Sequence, residues 1–378
     1  MWILGAGFSK PLGGPLLDEL LSSRTINVVQ SLYASNPHIG KPSATSTFDV
    51  RDAAEWVPQL FSQFGPAAPP GTRLWSDAEA FLDHLDAAAT TKPSGPAALR
   101  FQSALNEFNR KNSRAALLQL GEIRAGARRL VAADCCGFLK DAALNEEVWQ
   151  PYLSWSRALS PDDSVITFNY DRALELLALF EIVDPSKKPL AASTKPQVFK
   201  LHGSVDWRRS YDASTPGFSP TDREEFALEC EPEEIGIATP GPTKRVATEE
   251  LHDLWEGALE RIKAADAVVF IGYRFPPNDS EARGRILSAI RDNRSKHLEL
   301  HFVLGPKRDE NVERLEQMLR YVALQKPREE ARVNEFRGLS IHGYVRETFR
   351  VSPHALWAQD FFTVWNRALL WPFEDEAP

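Results

Sequence analysis

The 378-residue chain has little cysteine: three in all, with Cys135 and Cys136 adjacent and Cys230 far away. Neither a disulfide framework nor a paired Cys-x-x-Cys zinc site can be assembled from them. Long apolar runs are missing as well. No stretch reaches the roughly 18 residues that a bilayer span needs, and no basic segment precedes an apolar one at the start, so a cytoplasmic protein with no membrane contact is expected. Basic charge is not in excess either. The formal net charge is -8, whereas a surface built to hold phosphate backbone draws its affinity from clustered Lys and Arg, so direct nucleic-acid binding is not expected.

What is present suits a folded protein. A composition of 43% hydrophobic and 25% charged residues, with 21 Phe and 10 Trp, excludes a disordered chain. The length accommodates two or three ordinary units or one continuous α/β core. Met1 to Leu4 is a very short apolar run, followed by Gly5-Ala6-Gly7 and by Leu16, Leu17, Leu20 and Leu21 at helical spacing. This reads as strand, turn, helix, and the shortness of the strand leaves open whether residues precede Met1. No comparable strand follows before Ser164. Trp75 to Ala87, Ala98 to Leu120 and Ile123 to Leu144 are helical in pattern, with irregular excursions at Asn36 to Gly71 and Thr90 to Pro96. A connection of about 140 residues cannot be a bare loop, so residues 23–163 are expected to form a helical insertion that completes or covers a site in a domain made of 1–22 and 164–378.

After Pro161 the pattern alternates. Strands are expected at Ser164 to Phe168, Val198 to Leu201, Ile235 to Ala238, Ala267 to Ile271 and Leu298 to Leu304, and helices at Asp171 to Phe180, Glu249 to Ala264, Asp279 to Arg291 and Asp309 to Leu324. Such alternation predicts a parallel sheet covered on both faces, a doubly wound, Rossmann-like α/β fold. The acidic run Asp222 to Glu234 reads as a solvated loop.

Three segments carry chemistry. Gly5-Ala6-Gly7-Phe8-Ser9, with Gly13, Gly14 and Pro15 beyond, stands between strand and helix, where free N–H groups and the positive helix end favour a phosphate. A purely structural tight turn is the plain alternative. Val165-Ile166-Thr167-Phe168-Asn169-Tyr170-Asp171 is a strand running out into polar residues at the carboxyl end, where ligands bind in parallel sheets. Asp171 also fits a helix N-cap, an excuse that Asn169 lacks. Lys200-Leu201-His202-Gly203 is another strand ending, in a histidine that is either a satisfied structural residue or a catalyst.

Together these segments resemble the sirtuin family, in particular its bacterial zinc-less branch. The family's nucleotide loop is matched by Gly5, Ala6, Gly7, Ser9, Gly13 and Pro15, its Asn-x-Asp by Asn169 and Asp171, and its Leu-His-Gly by Leu201, His202 and Gly203. The segment Phe270-Ile271-Gly272-Tyr273-Arg274-Phe275-Pro276-Pro277-Asn278-Asp279 is similar to the Gly-Tyr-Ser-x-Pro-x-x-Asp stretch of that branch, matching it at Gly272, Tyr273, Pro276 and Asp279. Two departures stand out. The paired zinc cysteines of the deacetylases are missing, and Pro15 leads into Leu16-Leu17-Asp18 instead of Asp-Phe-Arg.

The resemblance implies NAD+ as substrate, no metal, and the chemistry of an NAD+ glycohydrolase, which in such branches serves bacterial defence against phage. It implies that Gly5, Ala6, Gly7, Phe8 and Ser9 hold the pyrophosphate, with Pro15 also at the cofactor, and that Asn169 positions the nicotinamide ribose and a water. Asp171 would order the nicotinamide side, His202 would serve as general base, Gly272 would line the adenosine side, and Gly203 and Tyr273 would also bind the cofactor. Regulation is then expected from homo-oligomerisation or from a partner ATPase or other defence protein. A silent sensor of NAD+ or ADP-ribose and a protein deacylase are the competing readings; a sensor has no need of both Asn169 and His202, and a deacylase of this family carries zinc cysteines. His84, Glu79, His252 and Trp255 read as packing residues, and Cys135 and Cys136 as inert thiols.

Overall fold

The computed structural model describes residues 1–35, 50–89, 95–112, 119–143, 145–187, 193–210, 217–221, 223, 226–239, 247–276, 279–325, 334–336, 339–341 and 348–370. Twelve strands occur among them: β1 (Trp2–Leu4), β2 (Ser164–Thr167), β3 (Glu181–Ile182), β4 (Gln197–Lys200), β5 (Gly203–Ser210), β6 (Gly217–Pro220), β7 (Ile235–Ile237), β8 (Ala267–Ile271), β9 (His297–Val303), β10 (Asn334–Phe336), β11 (Leu339–Ile341) and β12 (Thr348–His354). Seven of these form one sheet in the order β12-β9-β8-β1-β2-β4-β3, and every neighbouring pair in it is parallel.

The three-residue β1 lies at the centre because it is apolar on both faces. Trp2 and Leu4 pack on one side with Val165, Val198 and Val269, while Ile3 packs on the other with Ile166, Phe199 and Phe270. Alternate residues of a strand face opposite sides, so a strand buried on both must be apolar throughout. Helices Glu146–Ala158 and Ala358–Val364 cover the first face; His252–Ala264, Ser280–Arg291 and Glu310–Leu324 cover the second.

Register then sets the position of the site. Leu4 pairs with Thr167 and Ile271, Thr167 with Lys200, Ile271 with Val303, and Val303 with His354. Six strands therefore end at one level. The chain winds outward from β1 in both directions, which makes the gap beyond these ends the switch point where doubly wound folds bind ligands.

Helices Ser23–Ser35, Val50–Phe64, Ala78–Ala88, Pro96–Lys111 and Leu120–Ala143 form a second core around Leu60, Phe81, Phe101 and Leu130. A small antiparallel sheet, β6-β5-β7, shares that core through Val205, Ile235 and Ile237. Residues 50–64, expected to be irregular, form a helix despite Pro58 because Ala53, Val57, Leu60 and Phe64 are spaced to bury one face. The rest of that excursion, residues 36–49, lies outside the described residues, as do 90–94.

Three further expectations change. The leucines at 16–21 form turns, not a helix: Glu19 accepts the Leu16 N–H at 2.8 Å, and Leu21 adopts a left-handed φ of 57° that ends any helical run. Leu20 and Leu21 are buried regardless. The helix expected over 171–180 shrinks to Ala173–Leu176, since Ala178 is left-handed at φ 57° and the chain turns into the edge strand β3. The acidic run is pinned down, with Phe226, Leu228 and Cys230 buried in the helical core. Among the described residues no helix is long and apolar enough to cross a membrane.

At the sheet's far edge His301 is fully buried, with Nδ1 3.0 Å from Nε2 of His354. The nearby Glu299 carboxylate, 3.7 Å from His301 Nε2, is already held by Arg350 at 2.7 Å. Burial pulls His301 down to about 4 from its ordinary 6.5. The unfolded chain therefore takes up a proton that the folded chain refuses, so stability is full above the ordinary value and drains as pH falls toward the lower one. Between about pH 7.5 and about pH 5 this site should cost about 2 kcal/mol. Urea unfolding at the two pH values checks it: the wild type should lose that much more stability than His301→Gln, and equal losses would refute the assignment.

Candidate active site

The six strand ends enclose a cavity of about 490 Å³, in the range of small-molecule sites. Gly5, Ala6, Gly7, Ser9 and Pro15 enter it after β1, Asn169 and Asp171 after β2, His202 after β4, and Gly272 and Tyr273 after β8. The loops after β9 and β12 add Leu304, Gly305 and Trp357, and the helical region adds Asp77, Glu79 and Cys135. Ten of the expected site residues thus share one wall. Phe8 and Gly203 do not line it. The Phe8 ring packs edge-on against Tyr152 and Trp155 beneath the sheet, and its carbonyl accepts the Tyr152 hydroxyl at 2.8 Å. Gly203, at φ +79°, is where the chain turns into β5, and a Cβ there would lie 2.0 Å from the Gly236 carbonyl oxygen.

The turn after β1 is held by backbone. Gly5 N–H donates to the Ile271 carbonyl at 2.9 Å, Gly7 N–H to that of Gly272 at 3.4 Å, and Phe8 N–H to that of Gly5 at 2.8 Å. Gly272 has a left-handed φ of +65°, and a Cβ on it would stand 2.3 Å from Gly7 Cα. Both glycines are thus required by the approach of two loops, with or without a ligand. The helical turn that follows, Ala6–Ser9, is a single turn, shorter than the pattern of leucines suggests.

Asn169 is fixed by this turn. Its Nδ2 donates to Gly5 O and to Ser9 Oγ, both at 3.1 Å, and the Ser9 hydroxyl donates to Asp171 Oδ2 at 2.8 Å. With the nitrogen so committed, the side-chain carbonyl of Asn169 is the atom left for a ligand, an acceptor suited to a hydroxyl or a water. Asp171 Oδ1 accepts the Ala173 N–H at 3.0 Å, so from the position before the N-cap residue Arg172 this carboxylate holds the first N–H of the short helix and anchors Ser9 at once. Burial raises its affinity for a proton, opposed by Lys200 and by these hydrogen bonds.

On the other side the Phe168 ring stacks on Tyr273, with centroids 4.3 Å apart and planes at 14°, and meets His202 edge-on at 4.7 Å. His202 is buried, and its Nε2 lies 3.5 Å from Asp279 Oδ2. Phe168, Glu79 and Trp357 were not expected at the site from sequence, whereas Asp279 closes the segment that resembles the Gly-Tyr-Ser-x-Pro-x-x-Asp stretch. Glu79 and Trp357 sit far from the motifs in a single chain, and only folding brings them there. Of the remaining candidates, His84 Nδ1 contacts the Ala80 carbonyl at 2.6 Å and Trp255 is buried beneath Arg285. Burial first, and then the neighbouring carboxylates, push the Cys135 thiol well up, so it stays protonated.

Residues 163–325 match the family model of the SIR2-like domain. The match supports a sirtuin-like family, one of NAD-dependent enzymes, and implies the use of NAD+. It takes in Asn169, Asp171, His202, Gly272 and Tyr273; the Gly5–Ser9 turn lies outside it and is joined to these residues by the fold. No protein of the curated set matches the chain. Among the described residues no cluster of His, Cys, Asp or Glu has the form of a metal site.

Lys200 supports the floor of the site. It is 1% exposed, and its Nζ donates to the Asp171 carbonyl at 2.6 Å and to Glu175 Oε1 at 2.7 Å. Lys200→Met strands a buried carboxylate and should destabilise the protein by about 3 kcal/mol or more, as read by urea unfolding, and Glu175→Leu in the same chain should restore most of that loss. A single variant as stable as the wild type would show that the pair contributes nothing.

Proposed function

We propose that the protein hydrolyses NAD+ at the bond between nicotinamide and ribose, releasing nicotinamide and ADP-ribose. One observation carries the reading: Asn169 and His202, on the ends of adjacent strands β2 and β4, line the same cavity as the glycine turn after β1. That cavity spans the switch point, where a dinucleotide lies across the strand ends of a doubly wound sheet. Its wall also carries the acidic residues Asp18, Asp77, Glu79, Asp171 and Asp279. A wall rich in carboxylates favours a positively charged ring and the positive charge that builds on the sugar as the bond breaks.

In the reaction a water adds to ribose C1′, the C1′–N bond breaks, and its electron pair leaves with nicotinamide, which becomes neutral. Little acid catalysis is needed. The water's proton passes to His202, the general base, while the Asn169 carbonyl oxygen accepts a hydrogen bond from that water or from a ribose hydroxyl. Asp171 acts through Ser9 and the backbone at Ala173, keeping Asn169 in place. The Ser9 end of the turn faces the phosphates. Gly5, Gly7 and Phe8 have spent their N–H groups internally, so the phosphate contact falls to Ala6 N–H and the dipole of the turn.

Residues 1–22 with 164–378, covered on one face by helix Glu146–Ala158, then form the NAD+ domain, and the helices that precede that one supply the part that closes the site through Asp77, Glu79 and Cys135. A free NADase would exhaust the nucleotide of its own cell. Activity is therefore held in check, in this reading by self-association or by a partner protein of an antiviral defence system, and the helical part is the surface on which such control would act.

Incubating concentrated protein with NAD+ and following nicotinamide and ADP-ribose by mass spectrometry tests the reading. Wild type should release both. Asn169→Ala and His202→Ala should each lower the rate by about 10²-fold or more while melting within a few degrees of wild type. Release at the wild-type rate in both variants would sink the assignment.

A further inference from the structure

From the wall that the loops after β9 and β12 give the cavity, we infer that Trp357 is the base-stacking residue of the site, the surface on which the flat adenine end of the dinucleotide lies. The inference rests on the reading of the cavity as an NAD+ site and names the residue that selects the end of the substrate remote from the reaction.

Trp357 is placed where folding alone has little use for it. Trp2, Trp75, Trp155, Trp207 and Trp255 are each 2% exposed or less, whereas Trp357 is 37% exposed. Of the large apolar side chains left exposed among the described residues, Trp357 is the one that lines the cavity. It also occupies the N-cap position of helix Ala358–Val364, where Ser, Thr, Asp and Asn are preferred because they accept a backbone N–H, and its side chain makes no such bond. An indole at this position gives up both a cap and full burial, and what it offers in return is a broad, rigid aromatic surface facing a ligand cavity.

The ring is held in place from behind. Gly305, at a left-handed φ of +96°, brings bare backbone under the six-membered ring, so that a Cβ there would stand 3.2 Å from one ring carbon and 3.4 Å from the next. Gly305 N–H donates to the Leu356 carbonyl at 3.0 Å, and the Trp357 carbonyl accepts the Phe361 N–H at 3.0 Å, which fixes the backbone on both sides of the indole. The Leu304 carbonyl is taken by Arg274 at 2.7 Å. Backbone groups at this end thus serve to build the wall, and the flat ring is what the wall presents.

Position and charge then say which ring it meets. In the sheet order β12-β9-β8-β1-β2, the strand before Trp357 stands four places from the one before Asn169. Neighbouring strands are about 4.8 Å apart, so the two lie about 19 Å from each other across the sheet. A nicotinamide bonded directly to the ribose at Asn169 does not span that separation, and the base at the other end of the molecule is the ring directed toward β12. The carboxylates of the wall come from elsewhere, whereas Leu304, Gly305, Asn311, Trp357 and Ala358 carry no charge. The acidic part suits the cationic pyridinium, and the uncharged aromatic part suits a neutral purine, whose stacking on an aromatic side chain is a main source of affinity for nucleic bases.

Two measurements on the full chain decide it. In calorimetric titration with ADP-ribose, which keeps the adenosine and lacks nicotinamide, Trp357→Ala should bind about tenfold or more weakly than wild type. Trp357→Phe, which keeps a flat ring, should bind within about threefold of wild type, and Trp357→Leu, which keeps apolar bulk without one, should be as weak as Trp357→Ala. Phe and Leu variants of equal affinity would overturn the inference, and so would unchanged binding in Trp357→Ala. In steady-state NAD+ cleavage, Trp357→Ala should raise KM by about tenfold or more with kcat within about threefold, and a loss confined to kcat would overturn it as well. A wild type that binds ADP-ribose through Trp357 yet leaves NAD+ intact would count against the proposed reaction and leave the stacking standing, whereas a wild type that binds no ADP-ribose would overturn both.

Discussion

The contact between Gly7 and Gly272 is the constraint on which the site depends. Two loops leaving adjacent central strands approach until backbone meets backbone, and side chains on either residue would hold them apart. That approach brings the Gly5 carbonyl within reach of Asn169, and Asn169 in turn fixes Ser9, whose hydroxyl binds Asp171. From one steric fact the hydrogen-bonded chain crosses from β1 to β2. On the far side the same Gly272 leads into Tyr273, whose ring is stacked on Phe168 and whose hydroxyl is spent on Asp279. Both halves of the cavity are thus referred to one pair of glycines.

Below this contact the packing is aromatic. Trp2, Phe8, Tyr152, Trp155 and Phe362 interlock at centroid separations of 4.9 to 6.3 Å. They come from β1, from the glycine turn and from two helices of the sheet's outer layer. A strand of three residues cannot hold the middle of a sheet by hydrogen bonds alone, and Trp2 supplies the buried area that the short ladder lacks. The Tyr152 hydroxyl bonded to the Phe8 carbonyl ties the turn to this cluster, so the turn is clamped from below as well as from the side.

Much of this architecture was legible in the sequence wherever a local pattern carries the information. The apolar runs at Val165, Val198, Ala267 and Leu298 read as strands because buried parallel strands must be apolar on both faces, and the doubly wound class follows from their alternation with helices. The motifs placed Asn169, His202 and Gly272 at strand ends, and register put those ends at one level. Other features depend on partners distant in sequence. The leucines at 16–21 keep helical spacing, but Glu19 and the left-handed Leu21 close them into turns against a separate core. β12 was missed because Thr348 to His354 carries Arg350, Ser352 and His354 among its apolar residues, and it joins the sheet through a full-length register with β9. Asp279 closes the segment that resembles a family motif, but nothing local tells that its carboxylate takes the Tyr273 hydroxyl instead of capping its helix.

The cavity is also assembled from more of the chain than the matched region covers. Between residues 163 and 325 lie Asn169, His202, Tyr273 and Asp279, polar groups of the cavity wall. The glycine turn precedes that region, Asp77, Glu79 and Cys135 come from the helices, and Trp357 and Ala358 follow it. The outer segments cannot move independently of the inner ones. Arg128 from the longest helix donates to the Ile235 carbonyl at 2.8 Å, and Trp357 packs over Gly305, where a Cβ would meet its ring at 3.2 Å. A displacement of the helical part would therefore shift Glu79 and, through β7 and its neighbour β5, the strand that begins at Gly203, immediately after His202. Any movement of the helices has a short mechanical route to His202, because the helical core includes the small sheet whose strand β5 begins at the next residue.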